Sequence, residues 1–333
     1  MHPRSLLAAA VAAGAVLSGA ACGAHPADTA ADVIDVTNCG VHQQYRSPTA
    51  AVPYDVSAIE KMFALGLTDR MKGIVLPKTV HGVIAKSPYR DEYAKVPILS
   101  DGVLAQEPLV AAKADWVFAG WQAGFSPARG VTPESLGKLR IDSYMQEETC
   151  YNYGDKPAAR AANPMEDTYA DLTNLGAIFR VQDRATKLVD GLRTRERTLQ
   201  ERADRKTVGP SVFVYDSGTA EPYTAGRRAA ADRVVSLAGG RSVTHDLDGR
   251  WTTVGWESVV QAQPEVIVIV DYDKQPAQQK IDYLRQSSPI KDSPAVRENR
   301  IRVVDYAELV AGPRNLDAAQ SLAEYLEQSG TAR

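Results

Sequence analysis

Tyrosine outnumbers phenylalanine 14 to 5 in this chain, and many of these tyrosines follow short apolar runs that read as strands. After GIVL (73–76) come Lys78 and His81. After DWVFAGW (115–121) come Trp121 and Phe125, and SYMQEETCYNYG (143–154) supplies Tyr144, Glu147, Tyr151 and Tyr153. The second half offers Tyr215, Asp216, Tyr223, Arg227, Trp251, Tyr272, Tyr306 and Arg314 in equivalent places. Tyr and Trp join a broad apolar face to a polar tip, which suits a large, partly planar, oxygen-rich guest. Arg suits carboxylates and other anionic groups. Any one of these side chains could equally pack an ordinary loop, so only part of the set is expected to line a ligand site.

Catalytic and metal chemistry find little support. The chain has no G-x-S-x-G, P-loop, G-x-G-x-x-G or H-E-x-x-H pattern. Its five histidines (His2, His25, His42, His81 and His245) form no cluster at ligand spacing, so neither direct metal binding nor a resident cofactor is expected. The formal net charge of −3 does not invite nucleic acid.

The three cysteines carry more information. Arg4 precedes a 12-residue apolar run, Leu6–Leu17, and small residues lead to Cys22. Residues 1–21 read as a signal peptide, too short to span a bilayer as a helix. SGAAC (18–22) has small residues before a cysteine, as a lipoprotein cleavage site requires, although Gly19 stands where Leu is usual. Cys22 is expected to carry lipid, the alternative being ordinary secretory cleavage with a cysteine nearby. The Ala-, Asp- and Pro-rich residues 22–32 then form a tether. Cys39 and Cys150 remain, and in an exported chain they most economically form one disulfide; two free thiols are the alternative.

Removing 21 of 333 residues leaves 312, enough for two domains. YDVSAIEKMFALGL (54–67) places Val56, Ile59, Met62, Phe63 and Leu65 on one helical face, with Gly66 as its stop. Strand candidates at 73–76, 96–99, 115–121 and 141–146 alternate with helical patterns, among them TPESLGKL (132–139), which has Thr132 as N-cap. Such alternation predicts an α/β fold with a parallel sheet. Residues 165–206 break the rhythm with two helical segments, the second over 183–204. The alternation then resumes through SVFVYD (211–216), Val266–Val270 and IRVVDY (301–306). The expected organisation is an N-terminal lobe over 33–164, connecting helices over 165–206 and a C-terminal lobe over 207–333.

In this order, NCG (38–40), SAIEKMFALGLTDRMKGIV (57–75), ADWVFAGW (114–121), TYADLTNLGAIFRVQDRATKLV (168–189), VFVYDSG (212–218), LAGGRSV (237–243), WESVVQAQPEVIVIVDY (256–272) and GPRN (312–315) resemble the substrate-binding lipoproteins of ABC importers. The similarity is to the group whose two Rossmann-like lobes are joined by a long rigid helix, the class III periplasmic binding proteins. That resemblance implies an exported protein, lipid-anchored on the extracytoplasmic face of the cell membrane. It would act as a monomer, capture a small-molecule metal chelate or corrinoid-like ligand between its lobes, and deliver it to an ABC permease dimer driven by cytoplasmic ATPases. An iron–siderophore chelate is the first expectation; cobalamin, haem and a deazaflavin cofactor precursor are the alternatives. The resemblance also implies one permease-docking glutamate per lobe, matched here to Glu60 and Glu257. His81 is a lesser candidate for an axial ligand to a haem or chelate. An extracellular enzyme is the least expected reading.

Overall fold

The computed structural model describes residues 33–153, 163–272 and 275–331. The expected signal peptide, the tether and Cys22, together with His2 and His25, lie outside the described residues. The chain opens with a hairpin of β1 (Val33–Asn38) and β2 (Val41–Arg46), antiparallel with Val33 opposite Arg46. Its turn is made by Cys39 and Gly40, at φ 52° and 76°. Sequence alternation does not reveal this hairpin, because VHQQYR is largely polar and its one fully buried side chain is Tyr45.

Lobe one then runs β3 (Ala51–Pro53), α1 (Asp55–Ala64), β4 (Ile74–Val75), α2 (Gly82–Lys86), α3 (Arg90–Tyr93), β5 (Ile98–Ser100), α4 (Gln106–Ala111), β6 (Trp116–Ala119), α5 (Pro133–Gly137) and β7 (Asp142–Met145). β3, β6 and β7 pair in parallel, as do β4 and β5. Parallel bridges Ala51–Met71 and Tyr54–Val75 tie the two groups together. The five apolar residues expected on one face of α1 are all buried, and Gly66 ends the helix at φ 62°. Thr132 caps α5 in a capping box closed by Ser135.

Two helices form the connection, α6 (Pro164–Ile178) and α7 (Gln182–Ala203). The second has 22 residues and is about 33 Å long at 1.5 Å per residue. They meet where Gly176 lies so close to Ala185 that an added Cβ would stand 2.3 Å from that side chain. The charged end of α7 is less solvated than its composition suggests. Arg195 and Arg202 pair with Asp317 and Glu327 at 2.5 and 2.6 Å, and Glu196, 6% exposed, accepts from Arg233 at 2.7 Å. α7 is thereby fastened along lobe two.

Lobe two comprises β8 (Ser211–Tyr215), β9 (Tyr223–Ala225), α8 (Ala230–Leu237), β10 (Arg241–Ser242), β11 (Trp251–Thr253), α9 (Trp256–Ala262), β12 (Val266–Asp271), α10 (Ala277–Gln286), α11 (Pro294–Arg297), β13 (Ile301–Asp305), α12 (Tyr306–Leu309) and α13 (Asn315–Gln328). Its parallel sheet has the order β10-β8-β12-β13, and β9 and β11 form a separate antiparallel ribbon. Residues 266–270 are completely buried, as expected for a central strand covered on both faces. One apolar core continues from lobe one through α6 and α7 into lobe two, and smaller cores fill the other face of each sheet. The architecture is two α/β lobes with parallel sheets joined by a helical connector.

Candidate functional site

Parallel α/β sheets place their loops for ligands beyond the carboxyl ends of the strands. Here the two sets of loops enclose a cleft of about 470 Å³. Lobe one contributes Tyr54 and Asp55 after β3, Trp121 after β6, and Gln146, Glu148 and Tyr151 after β7; lobe two contributes Asp216, Tyr223, Arg250, Trp251 and Tyr306. The rings of Tyr223 and Trp251 stack with centroids 6.1 Å apart and planes 26° apart, which presents a flat apolar wall.

Polar contacts cross the cleft. Tyr306 Oη donates to Asp55 Oδ2 at 3.0 Å, Arg250 pairs with Glu148 at 3.5 Å, and the Arg228 guanidinium lies 4.5 Å from the Tyr151 ring centroid. Asp55 holds φ 66°, a left-handed conformation that costs a non-glycine residue about 1–2 kcal/mol. Burial pushes its carboxyl up, against the hydrogen bonds from Val56 N and Tyr306. Asp216 accepts from Tyr272 Oη at 3.0 Å. Among the described residues, three carboxylates line the cleft beside one guanidinium, itself paired.

Behind the lobe-one wall runs a buried polar chain. Lys61 Nζ donates to Asp171 Oδ2 on α6 at 2.7 Å and to Gln146 Oε1 at 3.2 Å. The Ser57 hydroxyl lies 2.5 Å from both Gln146 Oε1 and Ala311 O of lobe two. The connector, the loop after β7 and the base of the cleft are therefore one hydrogen-bonded unit.

Of the side chains singled out from the sequence, the cleft brings together Trp121, Tyr151, Asp216, Tyr223, Trp251 and Tyr306. Several others need correction. Tyr144, Phe125 and Tyr215 are fully buried. Tyr144 packs against Trp116 and Phe118, and Tyr215 against Phe213 and Trp256; they point from their strands into the cores. Lys78 is exposed outside the cleft, and His81 Nε2 lies 2.9 Å from Leu76 O. Tyr153 donates to Glu134 and packs on Trp121 behind the lining. Glu147 accepts from Asn38 Nδ2 and Cys39 N at 2.9 and 3.0 Å. Arg227 pairs with Asp248 on the surface, and Tyr272 sits one layer back, bonded to Asp216. Arg314 is 5% exposed and faces Glu60, Asp305 and Glu308 at 3.4–3.7 Å. Among the described residues no group of three or more His, Cys, Asp or Glu side chains is placed to hold a metal ion. Cys39 and Cys150 are joined by a disulfide.

The pairing of Glu60 with Glu257 as surface anions is also corrected. Glu60 is 1% exposed, accepts from Ser87 Oγ at 2.6 Å, and has a carboxyl raised to about 7 by burial. The α1 face that looks polar in sequence is covered by the α2–α3 segment and by lobe two, so Glu60 is not on the surface. Glu257 is exposed in the first turn of α9. Its structural counterpart is Glu107, exposed in the first turn of α4. The match extends along both segments at an offset of 150 residues. Each helix is followed by a left-handed residue, Lys113 (φ 55°) and Gln263 (φ 43°). A carboxylate then accepts from the start of the neighbouring strand: Asp115 from Ala50 N and Glu265 from Ser211 N. This internal correspondence is readable in the sequence, as QEPLVAAKADWVF against WESVVQAQPEVIV, and would have identified Glu107. Asp55 and Arg250 were likewise missed. Asp55 directly follows a strand but also opens a helix, and Arg250 lies in a turn-rich segment without a strand signal.

Residues 54–307 match the model of a family described as periplasmic binding protein. An uncharacterized ABC transporter substrate-binding lipoprotein, YvrC, from Bacillus subtilis strain 168 is 24% identical over 285 residues, 84% of this chain and 80% of its own. A vitamin B12-binding protein from Photorhabdus laumondii is 24% identical over 294 residues, 87% of this chain and 92% of its own. The crystal structure of an ABC-type Fe3+-hydroxamate transport system from Saccharomonospora viridis superposes with a TM-score of 0.71 at 22% identity, covering 88% of this chain and 98% of that one.

Proposed function

The chain belongs to the periplasmic binding protein family, and we propose that it is the extracytoplasmic binding component of an ABC importer, capturing a ferric hydroxamate-type chelate between its lobes. The carrying observation is the interlobe cleft, walled by Trp121, Tyr151, Tyr223, Trp251 and Tyr306 from both lobes. A concave site of this size, with aromatic walls and charged groups set between them, suits burial of an organic guest. Its charge favours one kind of chelate. Arg227 and Arg314 lie elsewhere, and Arg250 is paired with Glu148 beside Asp55 and Asp216. A guest rich in free carboxylates would meet like charge here. Three hydroxamates, each singly deprotonated, neutralise Fe3+, so their chelate enters without that penalty and offers its apolar backbone to the rings. The similar fold of the S. viridis protein, named for Fe3+-hydroxamate transport, supports the same reading.

Delivery follows from the rims. Glu107 and Glu257 each open a helix that returns from the cleft edge of its lobe, since a helix joining parallel strands starts at their carboxyl ends. One exposed anion on each lobe would read both position and spacing through Arg residues of a permease. Binding and hand-over, rather than turnover, is the role. Cleavage before Cys22 and lipidation there would keep the body at the outer face of the membrane.

The test is intrinsic Trp fluorescence of the chain lacking residues 1–22, titrated separately with ferrichrome, ferric enterobactin, haemin and cyanocobalamin. Saturable quenching by ferrichrome and not by the anionic chelates is expected. Saturation by cyanocobalamin alone would transfer the assignment to a corrinoid, as the name of the P. laumondii relative suggests. No response to any of the four would refute chelate capture.

A further inference from the structure

The N-terminal hairpin packs on the lobe-one core through Val36 and Tyr45, and its tip is joined separately to the ligand loop. The turn Glu147–Asn152 carries Glu148, Thr149 and Tyr151 into the cleft, and Cys150 in its middle is the disulfide partner of Cys39 at the hairpin tip. Beside the disulfide, Asn38 clasps the same loop. Its Oδ1 accepts from Met145 N at 3.0 Å, and its Nδ2 donates to Met145 O at 2.8 Å and to Glu147 Oε1 at 2.9 Å. Cys39 N donates to that carboxylate oxygen at 3.0 Å. Cys150 and Asn38 are each 1% exposed, while Cys39 and Glu147 are half-buried.

We propose that the β1–β2 hairpin, acting through Asn38 and the Cys39–Cys150 disulfide, is a positioning brace for the ligand loop and sets the affinity of the cleft. The inference rests on the cleft being the ligand site. The start of the loop has other anchors: Glu147 N donates to Asp171 Oδ1 at 3.0 Å, and Trp121 N donates to Thr149 Oγ1 at 2.8 Å. Past Thr149 the covalent link takes over, where the loop delivers the Tyr151 ring beneath Arg228 of lobe two. A loop held at Glu147, Thr149 and Cys150 has little freedom to lose when a guest arrives, and that retained order appears as affinity. None of the hairpin strand residues lines the cleft, so its effect on binding is exerted through the loop it holds.

Trp121 reports on the brace without any ligand, because its backbone is bonded to Thr149 and its ring lies 4.7 Å from that of Tyr153. The test compares the chain lacking residues 1–22 with its C39S/C150S and N38A variants, each also carrying W121F. Opening the disulfide should raise acrylamide quenching of Trp emission and shift the emission to the red. Both changes should vanish in the W121F background, while far-UV circular dichroism is retained. Affinity for ferrichrome should fall about tenfold, the scale of ordering two or three side chains anew. N38A, which keeps the disulfide, should show a smaller change of the same kind and decides the matter if C39S/C150S does not fold. Unchanged Trp121 accessibility in a folded variant would overturn the proposal. If ferrichrome fails to bind the parent chain, the ligand assignment falls, but the Trp121 comparison still decides the brace.

Discussion

Replacing Asp171 with Ala strikes the point where connector, lobe-one core and cleft loop are tied together. Its carboxylate and the Lys61 ammonium are 2.7 Å apart, and both side chains are 0% exposed. Burial pushes the carboxyl up, and the adjacent ammonium offsets that cost. The carboxylate also accepts from Tyr144 Oη at 3.1 Å and from Glu147 N at 3.0 Å. The variant therefore strands an ammonium in the core and leaves two further donors without their acceptor. Breaking a fully buried pair from one side costs about 3–5 kcal/mol. For a chain of this length that is a fall of roughly 6–10 °C in Tm, at about 2 °C per kcal/mol. Urea unfolding followed by circular dichroism measures the loss. K61M/D171A should be less destabilised than D171A alone, by about 1–2 kcal/mol, because the stranded charge is gone. A D171A loss below about 1 kcal/mol, or strict additivity in the cycle, would refute the argument that this ion pair fastens α6 to the lobe.

Reversing both rim charges, E107K/E257K, should leave ferrichrome affinity within about twofold while abolishing cellular uptake, since exposed charges far from the guest change encounter rather than burial; uptake at the parent rate would remove the docking role. Trp251→Ala deletes half of the stacked wall formed with Tyr223 and should weaken binding by about 1–3 kcal/mol, roughly 5- to 150-fold, as read by titration calorimetry. Glu60, raised from 4.5 to about 7 by burial, is still protonated in the fold at pH values where the unfolded chain is ionised. Stability should therefore fall as pH rises from about 4.5 to about 7 and level off above, and E60Q should flatten that profile by about 1–3 kcal/mol in urea midpoints taken at pH 5, 6, 7 and 8.

Much of the fold is legible because its signals are local. Residues 266–270 form an unbroken β-branched run and become the central buried strand; residues 315–328 keep helical spacing from end to end and become α13. The hairpin is hidden because only Ile34, Val36 and Tyr45 of its strands reach the lobe-one core, which leaves β2 almost without apolar alternation. Side-chain direction was the other limit. Tyr144 and Tyr151 lie seven residues apart on one segment, yet the first points from β7 into the core and the second from the following turn into the cleft. Glu60, matched through the family resemblance to a surface position, is buried instead, and its helical position alone does not reveal the partners Ser87 and Arg314 that cover it.

The four tryptophans provide the most direct measurement of the central claim, since Trp121 and Trp251 line the cleft while Trp116 and Trp256 are buried in the two lobes. Ferrichrome should quench the emission of the parent chain saturably and that of the W121F/W251F variant far less. Equal quenching in both, from a variant that keeps its affinity, would mean that the guest sits somewhere other than between the lobes.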